Sequence, residues 1–249
     1  MRIITIGITC LGLLLAATAG SSVRGAEEPG RPLSFGAEAG IYSRYIWRGL
    51  EVNDQGVFQP EAWISLAGLQ AGIWGNLELT DTLDNRGKFT ELDYFFSYTH
   101  DFDFLSATLI YLYYDYPNTD EEKTQEIGIV LESGERLLAG AEVFWDFDQA
   151  DGFYAKASVG YALEAGELLL TPTAGIGWAN RKYNDYYFGA RTNSLVDAEI
   201  LLTAEADLYR GLYLTLTVGY FNLLDSDLRR EIEAARDGFW GGAALGFAY

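Results

Sequence analysis

Beyond its N-terminal segment, the chain alternates apolar and polar side chains with a period of two. In the first run, Phe35, Ile41 and Trp47 fall on one face, and Glu38 and Arg44 fall on the other. Such alternation predicts β-strands with one face against an apolar environment and the other against a polar one. The pattern recurs in twelve runs, and helical periodicity is almost absent. The sequence therefore predicts an all-β fold of twelve strands.

The connections between the predicted strands alternate in length. Short turns include residues 67–68, 100–101 and 209–211, whereas residues 80–88 and 180–194 form long polar loops. An even number of strands with short turns at one end and long loops at the other is typical of outer-membrane barrels. We therefore predict a single 12-stranded antiparallel transmembrane β-barrel with short periplasmic turns and longer extracellular loops.

The polar face distinguishes a membrane barrel from a soluble β-sandwich, which is the alternative. It carries acidic side chains from nearly every predicted strand, and a small closed core cannot bury so many unpaired charges. A hydrated lumen can hold them while lipid covers the apolar face. Aromatic residues on the apolar face also cluster near the loop ends (Tyr45, Trp47, Trp145) and the turn ends (Tyr98, Phe247), which predicts two interfacial girdles.

The N-terminal segment has the layout of a secretory signal peptide. Arg2 precedes an apolar run over residues 3–17, which small residues suited to cleavage follow. The run is shorter than the roughly 20 residues of a membrane-spanning helix. We expect a cleavable signal at residues 1–26, with a cut after residue 19 as the alternative. The mature barrel, residues 27–249, is then expected in a bacterial outer membrane.

Composition narrows the functional classes. The chain has 36 acidic and 17 basic residues, a net charge of −19, which argues against nucleic-acid binding because phosphate contacts need a basic face. A single Cys and a single His argue against a disulfide framework and multi-His metal sites. Acidic loops at residues 81–85 and 120–122 have oxygen ligands suited to calcium, but neither matches an EF-hand, and solvated surface charge is the simpler interpretation.

The sequence offers little for catalysis. A serine hydrolase needs a His base, and His100 falls in a predicted periplasmic turn, far from the loop rim. Carboxylates two apart, such as Glu91 and Asp93, are neighbours on one strand face by geometry, which favours lumen lining over glycosidase chemistry. We therefore expect no enzyme, no cofactor and no metal site.

The predicted lumen is the remaining candidate site. By strand parity its acidic members are Glu38, Glu61, Glu78, Glu91, Asp93, Glu126, Glu142, Asp146, Glu199 and Glu205. Its basic members are Arg44, Arg48 and Lys156. Rings of acids select cations, and the two arginines are expected on one strand, beside the acids of the second. These arginines and acids either create a transverse electric field across a constriction or form salt bridges that neutralise the charges of a closed interior.

Other side chains are also expected inside. Parity places large aromatic residues on the inward face: Trp63, Trp74, Phe95, Phe144 and Tyr213. Residues 225–236 break the strand pattern and predict a short helix capped by Asp225, with Gly238 just past its end. This helix would lie over the barrel mouth as a lid or pack on neighbouring loops. Twelve strands lie between the filled eight-stranded and the open sixteen-stranded barrels, so any pore would be narrow.

Four segments carry a family resemblance. They are residues 43–49 (SRYIWRG), 69–76 (LQAGIWGN), 91–94 (ELDY) and 114–117 (YDYP), the last followed by Glu126. Together they resemble the TorF-like family of outer-membrane porins, most clearly over residues 41–132. The resemblance implies a porin-like role.

Three functions remain under consideration. The leading hypothesis is a porin-like channel for passive diffusion of small cationic or neutral solutes through a narrow acidic lumen. The alternative is a closed structural or interaction barrel that displays loops or anchors a periplasmic partner; a membrane-embedded hydrolase is weaker. Expected partners are outer-membrane lipid, small solutes and the barrel-assembly machinery, which suits the aromatic last strand ending at Phe247 and Tyr249. Nucleic acid is not expected.

Overall fold

The computed structural model describes residues 33–81 and 84–249, so the predicted signal peptide lies outside the described residues. In chain order the strands are β1 (Leu33–Tyr42), β2 (Tyr45–Trp47), β3 (Leu50–Asn53), β4 (Val57–Leu66), β5 (Leu69–Glu78), β6 (Phe89–Asp101), β7 (Ser106–Asp115), β8 (Thr124–Ser133), β9 (Leu137–Asp146), β10 (Gly152–Tyr161), β11 (Leu163–Ala165), β12 (Leu168–Ala179), β13 (Ser194–Tyr209), β14 (Leu212–Leu223) and β15 (Asp237–Ala248). The helices are α1 (Arg181–Phe188) and α2 (Leu228–Glu231).

Twelve of these strands form a closed antiparallel barrel, which confirms the predicted fold. Each pairs with its neighbours along the chain, β10 pairs with β12, and β1 closes the ring against β15. The short β11 continues the line of β10 and pairs with the start of β12. Only β2 and β3 stand apart, as a two-stranded sheet of their own. Neither α1 nor α2, the helices of the described residues, is long and apolar enough to cross a membrane.

The two ends of the barrel differ in their connections. At the short-turn end, β4 meets β5 through Ala67 and Gly68, whose φ angles of 52° and 81° suit a tight hairpin turn. The turn expected at residues 100–101 is displaced, because β6 continues to Asp101 and the chain reverses over residues 102–105. The opposite, long-loop end carries the connections after β1, β5, β7, β9, β12 and β14.

The outer face of the barrel is apolar and exposed. Val159, Ile200 and Val218 are 58%, 63% and 57% exposed, although a water-facing surface of this size would favour polar residues. Near the long-loop end Trp145 stacks on Phe153 at 5.8 Å, and near the short-turn end further aromatic rings pack together. An apolar band between aromatic girdles is the surface that lipid covers in outer-membrane barrels.

Aromatic rings lie over glycines on the inner face. A Cβ atom at Gly128 would fall 2.4 Å from the Phe144 ring, which the neighbouring strand places opposite it. Rings packed over glycines in this way stabilise strand pairing. The same cross-strand arrangement recurs in five further pairs: Gly36–Trp63, Gly72–Phe95, Gly219–Trp240, Gly242–Tyr42 and Gly246–Tyr213.

The long connection after β1 folds into the barrel as the hairpin of β2 and β3. Arg48 and Gly49 form its turn, with φ angles of 48° and 82°. Tyr45 and Trp47 are 3% and 6% exposed, so their prediction on the lipid-facing surface is wrong. The physical reason is that β1 ends at Tyr42 and the chain then turns inward, which alternation alone does not reveal.

Helix α1 fills the space beside the hairpin. Asn180 caps its start by accepting a hydrogen bond from the Tyr183 amide (3.0 Å), and Gly189 ends it in the left-handed conformation. The predicted long loop over residues 180–194 therefore contains a helix. The helix predicted over residues 225–236 is only the single turn of α2, although Asp225 does accept hydrogen bonds from the amides that begin it. Residues 45–53 and α1 together are called the plug.

Candidate functional site

The plug is held to the barrel wall by a buried ion pair. Arg48 Nη1 and Nη2 donate to the two oxygens of the Glu126 carboxylate at 2.7 and 2.8 Å. The Arg48 side chain is 8% exposed and that of Glu126 is fully buried. Burial lowers the pKa of the guanidinium, the Glu126 carboxylate raises it, and the net direction is upward, so Arg48 stays charged. A bidentate pair of this kind fixes the hairpin tip in position.

Aromatic rings surround the same guanidinium. Its Cζ atom lies 4.5 Å from the Phe144 ring centroid, 4.7 Å from that of Tyr154 and 4.8 Å from that of Trp47. The Tyr183 hydroxyl accepts a hydrogen bond from Arg48 Nη1 (2.9 Å), and the Tyr114 hydroxyl donates to Glu126 Oε2 (2.7 Å). Cation–π contacts are strongest when desolvated, as here. We call Trp47, Tyr114, Glu126, Phe144, Tyr154 and Tyr183 the Arg48 cage.

Arg44 has a different role from the one expected. It lies in the bend before β2 and donates to Glu51 at 2.7 Å, within the hairpin itself. The prediction that Arg44 and Arg48 share one barrel strand is therefore wrong, because the strand has already ended at Tyr42. Glu51 also accepts a hydrogen bond from the Ala235 amide (2.9 Å), and Asn53 donates to Glu78. These bonds hold the root of the hairpin.

The second half of the plug is held by Asp146. The Tyr187 hydroxyl of α1 donates a hydrogen bond to Asp146 Oδ2 (2.6 Å). Asp146 Oδ1 accepts hydrogen bonds from the backbone amides of residues 148–150. Burial raises the pKa of the Tyr187 hydroxyl well above its usual range, so this hydroxyl remains a donor. The Tyr187 ring packs on Trp47 at 4.9 Å. Asp146 therefore ties α1 and a loop together, and α1 in turn supports the hairpin.

The remaining predicted lumen residues also face inward. Lys156 pairs with Glu199, and Glu78 accepts hydrogen bonds from Asn76 and Thr90 as well as Asn53. The predicted acids are all buried or half-buried on the inner face: Glu38, Glu61, Glu78, Glu91, Asp93, Glu126, Glu142, Asp146, Glu199 and Glu205. Further inner residues that the predicted site does not include also contact the plug or the wall: Glu51, Tyr114, Glu132, Tyr154, Tyr183, Tyr187 and Asp197. Strand parity would have identified those on barrel strands.

Side chains fill the interior at several heights of the barrel. Thr171 near the short-turn end, Leu112 and Asp93 further along, and Asp146 near the long-loop end all have no exposed surface. A water-filled lumen would leave such inward-facing side chains accessible to solvent. Within residues 33–81 and 84–249, no three His, Cys, Asp or Glu side chains are grouped so that they can hold a metal ion.

The fold and the charged interior define a class. A closed twelve-stranded antiparallel barrel with an apolar outer belt has the architecture of outer-membrane porins. Residues 15–229 match the family described as MltA-interacting protein MipA, and the chain belongs to that family. The match does not extend to the TorF-like label, which stays a prediction. Among curated protein sequences, none matches the chain.

Three solved structures that resemble this chain with a TM-score of 0.50 or more are described as porins or channels. The KdgM porin in complex with disordered oligogalacturonate is 7% identical, over 87% of this chain and 99% of that one, with a TM-score of 0.53. The NanC porin is 10% identical, over 86% and 98%, at 0.51. The COG4313 outer membrane channel from Pseudomonas putida F1 is 11% identical, over 90% and 100%, at 0.50. At these identities the likeness establishes the fold alone.

Proposed function

We propose that this protein is an outer-membrane barrel, plugged at rest, that anchors a partner protein at its short-turn end. The observation that carries the proposal is the solid interior. Residues such as Asp93, Leu112 and Thr171 are inaccessible at different heights of the barrel. A barrel of this kind offers a stable surface instead of an open path for solutes. It would reach the membrane through a cleaved signal and the barrel-assembly machinery.

The family description indicates what the partner would be. It names MltA as the protein with which MipA interacts. We assign the contact to the short-turn end, because short turns face the periplasm in outer-membrane barrels. Exposed acids outnumber exposed arginines on the described turns. The acids are Asp101, Asp103, Glu135, Glu164, Glu167 and Asp207, and the arginines are Arg136 and Arg210. This surface suits a partner with a basic patch, because complementary charge guides association.

A binding experiment tests this role. The barrel would be immobilised in lipid nanodiscs, and binding of the purified MltA protein of the same organism would be followed by biolayer interferometry. Neutralising four turn acids (D103N, E135Q, E164Q and E167Q) is expected to weaken binding at least about tenfold and to reduce its salt dependence. The matched control neutralises four exposed acids at the long-loop end (D120N, E121Q, E122Q and E233Q). Absence of wild-type binding, or equal weakening by both variants, would contradict the proposal.

A porin-like channel is the second candidate function. Inward-facing carboxylates outnumber inward-facing cations among the described residues, and acid-lined pores select cations. Because β2 and β3 share no ladder with the barrel, withdrawal of the hairpin would break no strand pairing of the wall. The channel would then pass small cationic or neutral solutes, with Glu126 and Glu142 on its lining. Single-channel currents in a planar bilayer under a salt gradient would test it: discrete cation-selective steps support a pore, and a folded barrel that carries no current either with the hairpin or with residues 44–54 replaced by a linker excludes one.

A further inference from the structure

The groups that surround the Arg48 guanidinium belong almost entirely to the wall and α1, while the cation itself belongs to the hairpin. Trp47 is the only cage member carried by the hairpin. The others come from five different elements: Tyr114 on β7, Glu126 on β8, Phe144 on β9, Tyr154 on β10 and Tyr183 on α1. If the hairpin withdrew while α1 stayed in place, these five side chains would still form a site for a planar cation.

We propose that the Arg48 cage is a binding site for a guanidinium compound, which Arg48 fills as an internal ligand until the hairpin withdraws. This goes beyond the anchoring role, which concerns the opposite end of the barrel. The cage would take a small alkylguanidinium or the side chain of an arginine in a peptide, since both present the same group.

The geometry selects a guanidinium over an ammonium group. Two parallel hydrogen bonds, 2.7 and 2.8 Å long, join the two Arg48 nitrogens to the two Glu126 oxygens. A planar fork makes both bonds at once, whereas an ammonium is a point charge without this match. The Phe144 and Tyr154 rings, with centroids 4.5 and 4.7 Å from Cζ, also favour a weakly hydrated planar cation.

Replacement of the Arg48 guanidinium by another cation is more favourable than its withdrawal without a replacement. Glu126 is fully buried, and removing its partner without replacement leaves an uncompensated charge, which is strongly destabilising. An incoming guanidinium removes that cost. The hairpin itself forms a separate two-stranded sheet, and Ser43 and Asp54 at its ends are exposed. Its withdrawal would break the bonds of Arg48 to Glu126 and Tyr183, the packing of Trp47 on Tyr187 and the bonds at its root, but no strand ladder of the barrel.

Isothermal titration calorimetry of the detergent-solubilised barrel tests the proposal, with ethylguanidinium chloride as the probe and ethylammonium chloride as the matched control. Wild-type protein is expected to bind ethylguanidinium weakly, because Arg48 competes for the cage. The Arg48→Ala variant is expected to bind it at least about tenfold more tightly, since the competing internal ligand is gone. Adding Glu126→Gln to that variant should abolish binding.

Three results would overturn the proposal. They are no binding to the wild type at any concentration that leaves it folded, equal binding of the two probes by Arg48→Ala, and binding that survives Glu126→Gln. If Arg48→Ala does not fold, Arg48→Lys replaces it. This variant keeps the charge, loses the planar fork of the guanidinium, and should still bind ethylguanidinium more tightly than the wild type.

A short peptide with one arginine, titrated in parallel, separates the two possible sources of the guanidinium group. Tighter binding of the peptide than of ethylguanidinium indicates a polypeptide ligand, and weaker binding indicates a small solute. Loss of guanidinium binding with intact MltA binding would leave the anchoring role standing.

Discussion

At the scale of single residues, the interior depends on a few side chains that satisfy each other fully. Glu126 accepts three hydrogen bonds, two from Arg48 and one from Tyr114. A buried carboxylate without such partners would be too costly to keep charged. Strand parity placed Glu126 correctly on the inner face, but it could not identify Arg48 as the partner. The two residues are 78 positions apart, and only the folded hairpin brings them together.

The Glu126→Gln variant tests the worth of this pair. It leaves the Arg48 charge buried without a counter-ion, so the free energy of unfolding should fall by about 3–5 kcal/mol. Urea unfolding in lipid vesicles, followed by tryptophan fluorescence, measures the change. The control is Asp151→Asn, which breaks an exposed ion pair with Lys182 and should leave the midpoint unchanged. Equal midpoints for Glu126→Gln and wild type would show that the pair contributes nothing.

A glycine variant tests the packing of aromatic rings on the inner wall. Gly128→Ala would bring its Cβ within 2.4 Å of the buried Phe144 ring, which also contacts Arg48 and cannot move aside easily. The expected loss of unfolding free energy is about 1–3 kcal/mol. Gly56→Ala is the matched control, because its new Cβ would meet nothing closer than 3.8 Å. The same unfolding assay decides, and similar losses for both variants would contradict the packing argument.

At the scale of elements, the wall could be predicted and the plug could not. A barrel strand shows the same two environments along its whole length, so alternation reveals it locally. The hairpin residues Tyr45 and Trp47 continue the same alternation, yet both are buried inside. Alternation with a period of two shows that the two faces of a segment lie in different environments. It does not show whether lipid or protein covers the apolar face. Helix α1 had a usable signal in Asn180 before it and Gly189 after it.

Removing the hairpin tests whether the two elements are independent. Replacing residues 44–54 by a Gly-Ser linker should leave a barrel that still assembles, because β2 and β3 pair only with each other. Assembly is read from the heat-modifiable mobility of the protein in gel electrophoresis, and an ionic current is expected to appear in planar bilayers. The same replacement over residues 118–122, in a loop outside the plug, should assemble without gaining current. A barrel that fails to assemble without its hairpin would show that wall and plug fold together.

At the scale of the whole molecule, stability has two separate sources. The apolar belt suits lipid, and the filled interior supports the wall from within. Alternation predicts the apolar belt from the sequence. The number of inward-facing acids predicts a hydrated lumen instead of the filled interior. The structure accommodates several of those acids by pairing them with side chains that are distant in sequence, such as Arg48 for Glu126 and Tyr187 for Asp146.

The belt leads to a depth-dependent prediction. Val218→Arg, near the middle of β14, should destabilise the barrel in lipid by about 2–4 kcal/mol. Leu195→Arg, near the long-loop end of β13, should cost about 0–1 kcal/mol although both positions are similarly exposed. Unfolding titrations in vesicles measure the difference. Equal costs at the two depths would contradict the placement of the membrane.

The attachment of the hairpin also affects the order in which the parts of the barrel assemble. The hairpin follows the first strand directly, but its root is hydrogen-bonded to the last part of the chain. The Ser43 amide donates to the Gly241 carbonyl, and the Gly241 amide donates to the Ser43 hydroxyl. Glu51 accepts a hydrogen bond from the Ala235 amide. Those residues lie in β15 or just before it, and β15 is the strand that closes the ring on β1. The chain therefore makes the hairpin early in synthesis, but the bonds at its root form only when the last strand has arrived, so those bonds mark a finished barrel.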